Sequence, residues 1–378
     1  MIVTFYSFKG GVGRSFTLVE TAVQLAARGY SVAVWDLDLE APGIQRIPDL
    51  RCLEDKLEIG TLDLVQEFLG SEYEFPEESL KKALIPFPLP EKLAENEGRL
   101  SFLLPGKLDR KYPGKFSAID WTGLFKPKEG PGPAFFYKIA FSIVHELGYE
   151  ILLIDSRTGY TDLGAVCTFQ IPDLVVLVFN LNEQNLAGIE QVYLAVTRTP
   201  ARLEGTLPAY LLANMIPSEP KKVRAEKIAA LAEKGLSPHH VIPLRPDLLL
   251  TDRVPSLAGL AEAAGDVAPV AQRIEARKEE MERLADKTAS SELSRAKGKA
   301  DPEELEALRR RGIYEKAKTF EEKVAELFGL SGGRTTVDYK RDDMQFDVRV
   351  ELTMGMFPVY LLIECKDTSR PVTQQQVR

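Results

Sequence analysis

The sequence predicts an α/β protein whose larger part is a mostly parallel sheet flanked by helices. Through about residue 265, short apolar runs rich in β-branched residues alternate with helical patterns. These runs lack the polar alternation of half-exposed strands, as expected for a sheet that is covered on both faces. Strand, helix and strand in this order form a right-handed unit with parallel strands. A second, smaller α/β unit is expected near the C-terminus.

Five runs fit strands of the larger sheet, and one further strand is expected within residues 44–133. A helix lies between the first two, because apolar residues from Phe16 to Ala26 recur at helical spacing and the pattern stops at Gly29. Residues 44–133 are rich in proline, glycine and charge, so we expect an insertion at the edge of the sheet. The predicted strands are Ile2–Tyr6, Val32–Asp36, Leu100–Leu104, Ile151–Ile154, Leu174–Phe179 and Tyr210–Ala213.

The chain changes character after residue 265. Residues 266–315 form helical patterns that are charged on most faces, which is typical of a solvated linker; the alternative is an arm that packs on a partner subunit. A predicted helix, Thr319–Phe328, then precedes two strand-like runs, Phe346–Glu351 and Val359–Cys365. We therefore divide the chain into an N-terminal domain (1–265), a helical linker (266–315) and a C-terminal domain (316–378).

Composition excludes several classes of protein. The 378 residues carry a formal net charge of −8, with a pI near 5.3, so bulk charge does not attract nucleic acid or anionic membranes. No apolar run is long enough to span a membrane, and the N-terminus lacks the features of a secretory signal. The 3 cysteines and 3 histidines cannot form a disulfide framework or a Cys/His zinc site. We expect a cytoplasmic protein.

A glycine-rich segment between the first strand and the first helix indicates a phosphate-binding loop. Its residues, Phe8-Lys9-Gly10-Gly11-Val12-Gly13-Arg14-Ser15, are called the glycine loop below. Glycines allow successive backbone N–H groups to point at a phosphate, and the N-terminus of the following helix adds its dipole. The Ser15 hydroxyl is the expected ligand of Mg²⁺.

Three aspartates end strands that are expected to lie beside this loop. Asp36 and Asp38 follow the second strand, and Asp155 ends the run that begins at Ile151. The carboxyl ends of parallel strands face the crevice where ligands bind in open α/β sheets. Asp155 would hold Mg²⁺ through water, and Asp36 and Asp38 would hold the metal or the attacking water. The alternative is that each aspartate only caps the next helix.

These motifs resemble those of the deviant Walker A ATPases, the ParA/MinD group of P-loop NTPases. The resemblance covers about residues 1–265 and includes Pro42-Gly43 and Gly159 after the two acidic strand ends. It implies that Lys9 to Phe16 bind ATP and that Lys9 reaches the phosphates of the other subunit in an ATP-dependent homodimer. It also implies that Asp38 positions the hydrolytic water and that Asn214 reads the adenine edge.

Position 14 departs from this family, because arginine stands where the P-loop lysine is expected. Arginine keeps the positive charge and binds phosphate with two nitrogens, but its guanidinium is larger and planar. We therefore expect nucleotide binding to tolerate Arg14 better than rapid hydrolysis does.

A second acidic constellation lies near the C-terminus. Asp347 comes 17 residues before Glu364, and Glu364-Cys365-Lys366 ends an apolar run. Residues two apart on a strand face the same side, so Glu364 and Lys366 project together. Paired carboxylates suit Mg²⁺, or Mn²⁺, and a nearby lysine stabilises developing charge. Glu321 shares a helical face with apolar residues and is a further candidate ligand. The alternative is a surface strand that ends in charged residues.

The order of these elements resembles the PD-(D/E)xK nucleases, and in particular the Mrr-like restriction endonucleases. The resemblance implies a deoxyribonuclease in which Asp347, Glu364 and Glu321 hold the metal and Lys366 assists the attacking water. That fold normally continues beyond the E-x-K strand, so we expect this sequence to be a piece of a longer protein.

Together these motifs predict an ATP-binding and ATP-hydrolysing switch that is coupled to a metal-dependent DNA endonuclease, with a role in restriction or antiphage defence. DNA is then the expected substrate of the C-terminal domain. The alternative is a non-catalytic, ATP-gated scaffold whose C-terminal domain only binds DNA or protein.

Overall fold

The computed structural model describes residues 1–126, 130–201 and 205–295, together with three further strands. The chain divides into two compact units. The first comprises Met1–Phe125, Pro131–Ala201 and Thr206–Lys278, and the second contains the rest of the chain.

The first unit is built on a sheet of eight strands. Their spatial order is β3-β4-β2-β5-β1-β6-β7-β8, and each neighbouring pair is parallel except β3 with β4. All six predicted strands are present in this sheet, with slightly different ends, including the one that was expected within residues 44–133. In chain order the strands are β1 (Ile2–Tyr6), β2 (Ser31–Asp36), β3 (Leu84–Phe87), β4 (Arg99–Leu103), β5 (Ile151–Asp155), β6 (Leu174–Phe179), β7 (Ala209–Ile216) and β8 (His240–Pro243).

Helices cover both faces of this sheet. The described helices are α1 (Arg14–Ala27), α2 (Thr61–Gly70), α3 (Glu77–Ala83), α4 (Tyr112–Ser117), α5 (Trp121–Leu124), α6 (Gly132–Phe141), α7 (Asp162–Ala165), α8 (Glu183–Val196), α9 (Lys221–Glu233), α10 (Pro246–Thr251), α11 (Pro255–Ala258) and α12 (Ala261–Arg295). Short 3₁₀ segments occupy Ile44–Arg46, Pro48–Lys56 and Glu91–Leu93, and π-helical turns occupy Ser142–Glu146 and Val166–Gln170.

Successive side chains of each central strand enter opposite layers of the core. On β2, Val32 and Val34 pack in the layer that contains α1, whereas Ala33 and Trp35 pack in the layer that contains α6. Both layers are apolar, because side chains alternate across a strand and helices cover both faces of the sheet. This two-sided burial explains why the strands are apolar throughout.

The segment predicted as an edge insertion, residues 44–133, supplies two strands of the sheet. β4 pairs with β2 in parallel, and β3 pairs with β4 in antiparallel orientation and forms one edge of the sheet. β8 forms the other edge. Both edge strands have 4 residues, and each contains a proline, Pro86 in β3 and Pro243 in β8.

The helix α12 differs from the predicted solvated linker over its first turns. Val267, Val270, Ala271 and Ile274 are buried in the same layer of the core as α1. The first unit accordingly extends to Lys278 rather than to residue 265. Arg273 and Glu275 beside these residues are only partly buried, as expected for a helix that packs one apolar face on a core.

The described part of the second unit contains a three-stranded antiparallel sheet. Its strands are β9 (Arg334–Arg341), β10 (Met344–Met354) and β11 (Phe357–Ile363), in the order β11-β10-β9. β10 and β11 contain the two predicted strand-like runs, except for the last two residues of the second run. The predicted helix Thr319–Phe328 lies outside the described residues. No helix within the described parts of the chain is long and apolar enough to cross a membrane.

Candidate functional site

The candidate site lies where β1, β2 and β5 end. Asp36 and Asp155, the last residues of β2 and β5, are register partners on neighbouring parallel strands. β1 lies on the other side of β5 and leads into the glycine loop. The parallel topology therefore brings the acidic strand ends to the loop, as the sequence predicts.

The glycine loop has the backbone that a phosphate cradle requires. Gly11 and Gly13 have positive φ angles, 75° and 73°, which L side chains rarely adopt. A Cβ atom on Gly10 or Gly11 would meet no atom within 4 Å, so there is open space beside these residues. A Cβ on Gly13 would instead lie 2.7 Å from Asn214 Nδ2. The loop is thus open at Gly10 and Gly11 and closely packed at Gly13.

The helix α1 begins directly after this loop with an uncapped N-terminus. Its N-cap residue, Gly13, offers no side chain to accept a hydrogen bond, and the first turn contains no acidic residue. Backbone N–H groups at the start of a helix lack intrahelical partners, and the helix dipole favours an anion beside them. Ser15 and Phe16 are half-buried in this first turn. The N-terminus of α1 therefore suits a phosphate group.

Arg14 is buried at the centre of the site, with only 6% of its side chain exposed. Its Nε atom donates to Asp155 Oδ1 at 2.5 Å, and Nη2 donates to Asp38 Oδ2 at 3.1 Å. The third nitrogen, Nη1, donates to Ser7 Oγ at 3.3 Å. Sequence analysis predicted Arg14 as a phosphate ligand, and the structure shows that it also bridges two of the predicted acidic residues.

The candidate site contains three carboxyl groups and one guanidinium group, that of Arg14. Burial raises the pKa of Asp36 well above the ordinary aspartate value, and the charge of Asp155 adds to this effect. Burial raises the pKa of Asp155 as well, against the opposing charge of Arg14. The Oδ2 atom of Asp155 is buried without a hydrogen-bond partner. One guanidinium therefore lies among three carboxyl groups, and it donates hydrogen bonds to two of them, Asp155 and Asp38.

Asn214 braces the glycine loop. Its Nδ2 atom donates to the backbone oxygen of Val12 at 2.8 Å and to Thr17 Oγ1 at 3.0 Å, and the residue is 3% exposed. The strand β7 is irregular at this point, because its register with β8 shifts between Ala213 and Ile216. The amide predicted to read an adenine edge thus holds the loop to α1.

Phe8, at the start of the glycine loop, packs on Tyr160 and on Gly188. The ring of Phe8 lies edge-on to Tyr160 with centroids 5.3 Å apart, and Gly188 of α8 leaves the space that Phe8 fills. Lys9 is exposed, and its Nζ atom lies 5.9 Å from the centroid of the Phe8 ring. Lys9 is therefore available to a group outside this subunit.

The loops that follow β2 and β5 are joined by an ion pair between Arg157 and Glu40. Each of these residues comes two positions after a predicted site residue, Arg157 after Asp155 and Glu40 after Asp38. The sequence analysis did not predict this pair. Its two residues could have been found, because each follows a predicted aspartate by only two positions. The pair links the two acidic loops to each other.

The second constellation is described only in part. Asp347 lies in β10, and Val348 beside it is the register partner of Ile363, the last described residue of β11. Glu321, Glu364 and Lys366 lie outside the described residues. Within the described part of the chain, no three His, Cys, Asp or Glu side chains form a group that could hold a metal ion.

The fold of the first unit and its glycine loop are similar to those of P-loop NTPases of the ParA/MinD type. A family model of ParA proteins, described as the NUBPL iron-transfer P-loop NTPase, matches residues 1–61. These residues include β1, the glycine loop, α1, β2 and the two aspartates after it. No curated protein matches the chain.

Solved structures of MinD proteins share this fold. The septum site-determining protein MinD complexed with Mg-ADP, from Pyrococcus horikoshii OT3, has a TM-score of 0.51 at 17% identity, covering 72% of this chain and 95% of that chain. The cell division ATPase MinD of Pyrococcus furiosus has a TM-score of 0.51 at 16% identity, covering 72% and 98%. The MinD cell division protein of Aquifex aeolicus has a TM-score of 0.50 at 17% identity, covering 73% and 97%. The predicted ParA/MinD-like fold is thereby confirmed.

Proposed function

We propose that the first unit binds ATP with Mg²⁺ at the glycine loop. The observation that carries this proposal is the open space beside Gly10 and Gly11 at the uncapped N-terminus of α1. A phosphate group in that space would accept hydrogen bonds from backbone N–H groups and would meet the dipole of the helix. The MinD structure of similar fold that contains Mg-ADP supports the choice of a nucleotide.

The residues present fit a magnesium ion that is carried by phosphates. Ser15 and Asp155 are the side chains proposed to hold it, Asp155 through water, with Asp36 in support. The unpartnered Asp155 Oδ2 and the excess of carboxyl groups over cations favour a divalent ion there. Mg²⁺ prefers oxygen ligands and retains several waters, so it needs no cage of protein ligands. When bound, it neutralises charge that develops on the phosphate oxygens.

The exchange of Gly10 for alanine tests this proposal. The added methyl group meets no protein atom, and the φ angle of Gly10 is not positive, so the fold should tolerate the change. The methyl group would enter the space assigned to phosphate and weaken ATP binding by about tenfold or more, which is roughly 1.4 kcal/mol or more. The measurement is calorimetric titration with ATP in Mg²⁺.

Gly70→Ala is the matched control for this experiment, because a Cβ on Gly70, at the end of α2, also meets no atom within 4 Å. It should bind ATP like the wild-type protein. Equal affinity of Gly10→Ala and Gly70→Ala would contradict the assignment of the phosphate to this space. Failure of the wild-type protein to bind any nucleotide would contradict the proposed function itself.

Hydrolysis and dimerisation extend this proposal. Asp38 is 17% exposed in its side chain, which gives water access to its carboxylate, and we assign to it the positioning of the hydrolytic water. Exposed Lys9 is the residue assigned to the phosphates of a second subunit. Sedimentation velocity with and without a non-hydrolysable ATP analogue tests the pairing. An unchanged monomer that has ATP bound would rule out the dimer, and Lys9→Ala should abolish pairing while leaving the fold intact.

A second proposed activity belongs to the C-terminal part, a metal-dependent DNA endonuclease. The observation that favours it is the antiparallel pairing of β10 and β11, in which Val348 and Ile363 are register partners. In sequence, Asp347 directly precedes Val348 and Glu364 directly follows Ile363, with Lys366 two positions further. The proposed ligands of Mg²⁺ or Mn²⁺ are Asp347, Glu364 and Glu321, and Lys366 would assist the attacking water.

Plasmid cleavage with Mg²⁺ or Mn²⁺, with and without ATP, tests this activity. Cleavage that disappears in Lys366→Ala supports the endonuclease, and a dependence on ATP supports coupling to the first unit. A folded protein that binds ATP but does not cut DNA would favour the non-catalytic, ATP-gated scaffold.

A further inference from the structure

The three nitrogens of the Arg14 guanidinium have three different partners. Nε contacts Asp155, Nη2 contacts Asp38 and Nη1 contacts Ser7, at 2.5, 3.1 and 3.3 Å. A planar guanidinium carries five N–H donors in a fixed fork, so it serves several acceptors at once. Arg14 is thereby held between the strand end of β5 and the loop after β2.

A lysine at this position could not make the same set of contacts. Its three N–H donors share one nitrogen atom, so it cannot reach the three positions that the separate guanidinium nitrogens reach, and it would leave one carboxylate to solvent or to a different cation. The distinction matters here because Asp155 is buried with 1% of its side chain exposed, and Asp38 is 17% exposed. An unpaired buried carboxylate is costly, whereas a paired one is stabilised.

We infer that Arg14 is an internal counter-ion that occupies Asp155 and Asp38 in the nucleotide-free protein, so that a divalent cation reaches these carboxylates only in competition with it. The Arg14 guanidinium thus lies where a metal ion would otherwise bind Asp155. Its nucleotide affinity accordingly depends less on Mg²⁺ than it would with lysine at position 14. This last consequence rests on the proposed ATP binding, whereas the counter-ion role does not.

The first test needs no nucleotide. Urea unfolding of the wild-type protein and of Arg14→Lys is measured in EDTA and in excess Mg²⁺. The wild-type midpoint should rise little in Mg²⁺, because the metal has to displace Arg14 from the two carboxylates that it contacts. The Arg14→Lys midpoint should be lower in EDTA and should rise in Mg²⁺, because the carboxylate that lysine leaves unpaired can now bind the metal. Equal responses of the two proteins, or no response of Arg14→Lys, would overturn the inference.

Arg28→Lys is the matched control. Arg28 lies just beyond the other end of α1, and its Nη1 atom donates to Glu275 at 2.5 Å. Any change in stability that this substitution causes at the partly exposed pair should be equal in EDTA and in Mg²⁺, because no predicted metal ligand is involved. A response of Arg28→Lys to Mg²⁺ that equals the response of Arg14→Lys would show a general salt effect and would overturn the inference.

The second test compares ATP affinity in EDTA and in Mg²⁺. For the wild-type protein the dissociation constants in EDTA and in Mg²⁺ should agree within about threefold. For Arg14→Lys they should differ by about tenfold or more, which is an ordinary size for coupling between two ligands. A wild-type protein that loses more than about tenfold of its affinity in EDTA would overturn the inference and leave the proposed function intact. If ATP does not bind in either condition, the proposed function fails and the unfolding experiment still decides the role of Arg14.

Discussion

Asp36 and Asp155 are register partners at the carboxyl ends of β2 and β5, and both are fully buried. Their backbone positions are fixed by the sheet, so neither residue can move away from the other without loss of strand pairing. Arg14 donates to Asp155, while Asp36 accepts hydrogen bonds from the backbone N–H groups of Asp38 and Ile44. The site is therefore a pair of acidic strand ends whose negative charge is partly neutralised by Arg14.

Removal of the Asp155 carboxylate should strongly destabilise the nucleotide-free protein. Asp155→Ala leaves the buried Arg14 guanidinium without its closest partner, and the loss of one member of a buried ion pair costs about 3–5 kcal/mol. Part of that cost is the unpaired charge, so the double variant Arg14→Met/Asp155→Ala should lose less stability than the sum of the two single variants. Urea unfolding of the four proteins measures this difference, and strict additivity would contradict the interaction.

Asn214→Ala should weaken binding of the phosphate chain and not only recognition of the base. The variant loses two hydrogen bonds to the loop and α1, which lowers the free energy of unfolding by about 1–3 kcal/mol. Competition with inorganic tripolyphosphate separates the two roles. A loss of affinity for ATP and for tripolyphosphate indicates a brace of the loop, and a loss for ATP alone indicates an adenine contact.

Asn96→Ala is the control for this variant. The Nδ2 atom of Asn96 donates to the backbone oxygen of Ala27 at 2.8 Å, at the end of α1 that is remote from the loop. It should lower stability modestly and leave both ligands unaffected.

Gly188→Ala should displace Phe8 at the start of the glycine loop. A Cβ atom on Gly188 would lie 2.0 Å from atoms of the Phe8 ring, so the ring must move or α8 must shift. Overpacking of this kind costs about 1–3 kcal/mol. The double variant Phe8→Ala/Gly188→Ala should recover part of this loss in thermal unfolding. Gly265→Ala in α12, where a Cβ meets no atom within 4 Å, should not lower stability.

His239 should make stability depend on pH near neutrality. Its Nδ1 atom accepts a hydrogen bond from the backbone N–H of Leu211 at 2.9 Å, and burial together with the charge of Arg273 lowers the pKa of His239. As the pH falls through about 6.5, the unfolded chain takes up a proton before the folded protein does. The stability contributed by neutral His239 is therefore complete above that pH and is lost below it.

His239→Asn provides the comparison for this effect, because an amide oxygen can accept the same hydrogen bond without titrating. Urea midpoints from pH 8 to about pH 5 should fall more steeply for the wild-type protein than for the variant. Parallel curves would show that His239 does not contribute to the pH dependence.

The sheet and the position of the site could be predicted from the sequence because both depend on local pattern. Buried parallel strands are apolar throughout, and Asp36 and Asp155 mark their ends. The edge strand β3 was not predicted, since it has only 4 residues and contains Pro86. The core residues of α12 were missed although Val267, Val270, Ala271 and Ile274 follow a helical period, because the charged residues around them dominate the composition.

The contacts of Arg14 could not be predicted, since they join residues that are far apart in sequence. Arg14 and Asp155 are 141 positions apart. Motif spacing identified both residues as members of one site but carried no information on which atoms meet. The same holds for Asn214, whose amide nitrogen donates to Val12 and Thr17, about 200 positions earlier in the chain. Motifs thus predicted which residues lie together, and only the fold showed how their charges are paired.

The short edge strands with their prolines also determine how copies of this chain can meet. A sheet grows into fibrils when the rim of one molecule hydrogen-bonds to the rim of another, and a rim strand needs free N–H groups for that. Pro86 and Pro243 each remove one such donor, and strands of 4 residues offer few others. Both edge strands of this sheet are therefore poor templates for pairing with a strand of another molecule.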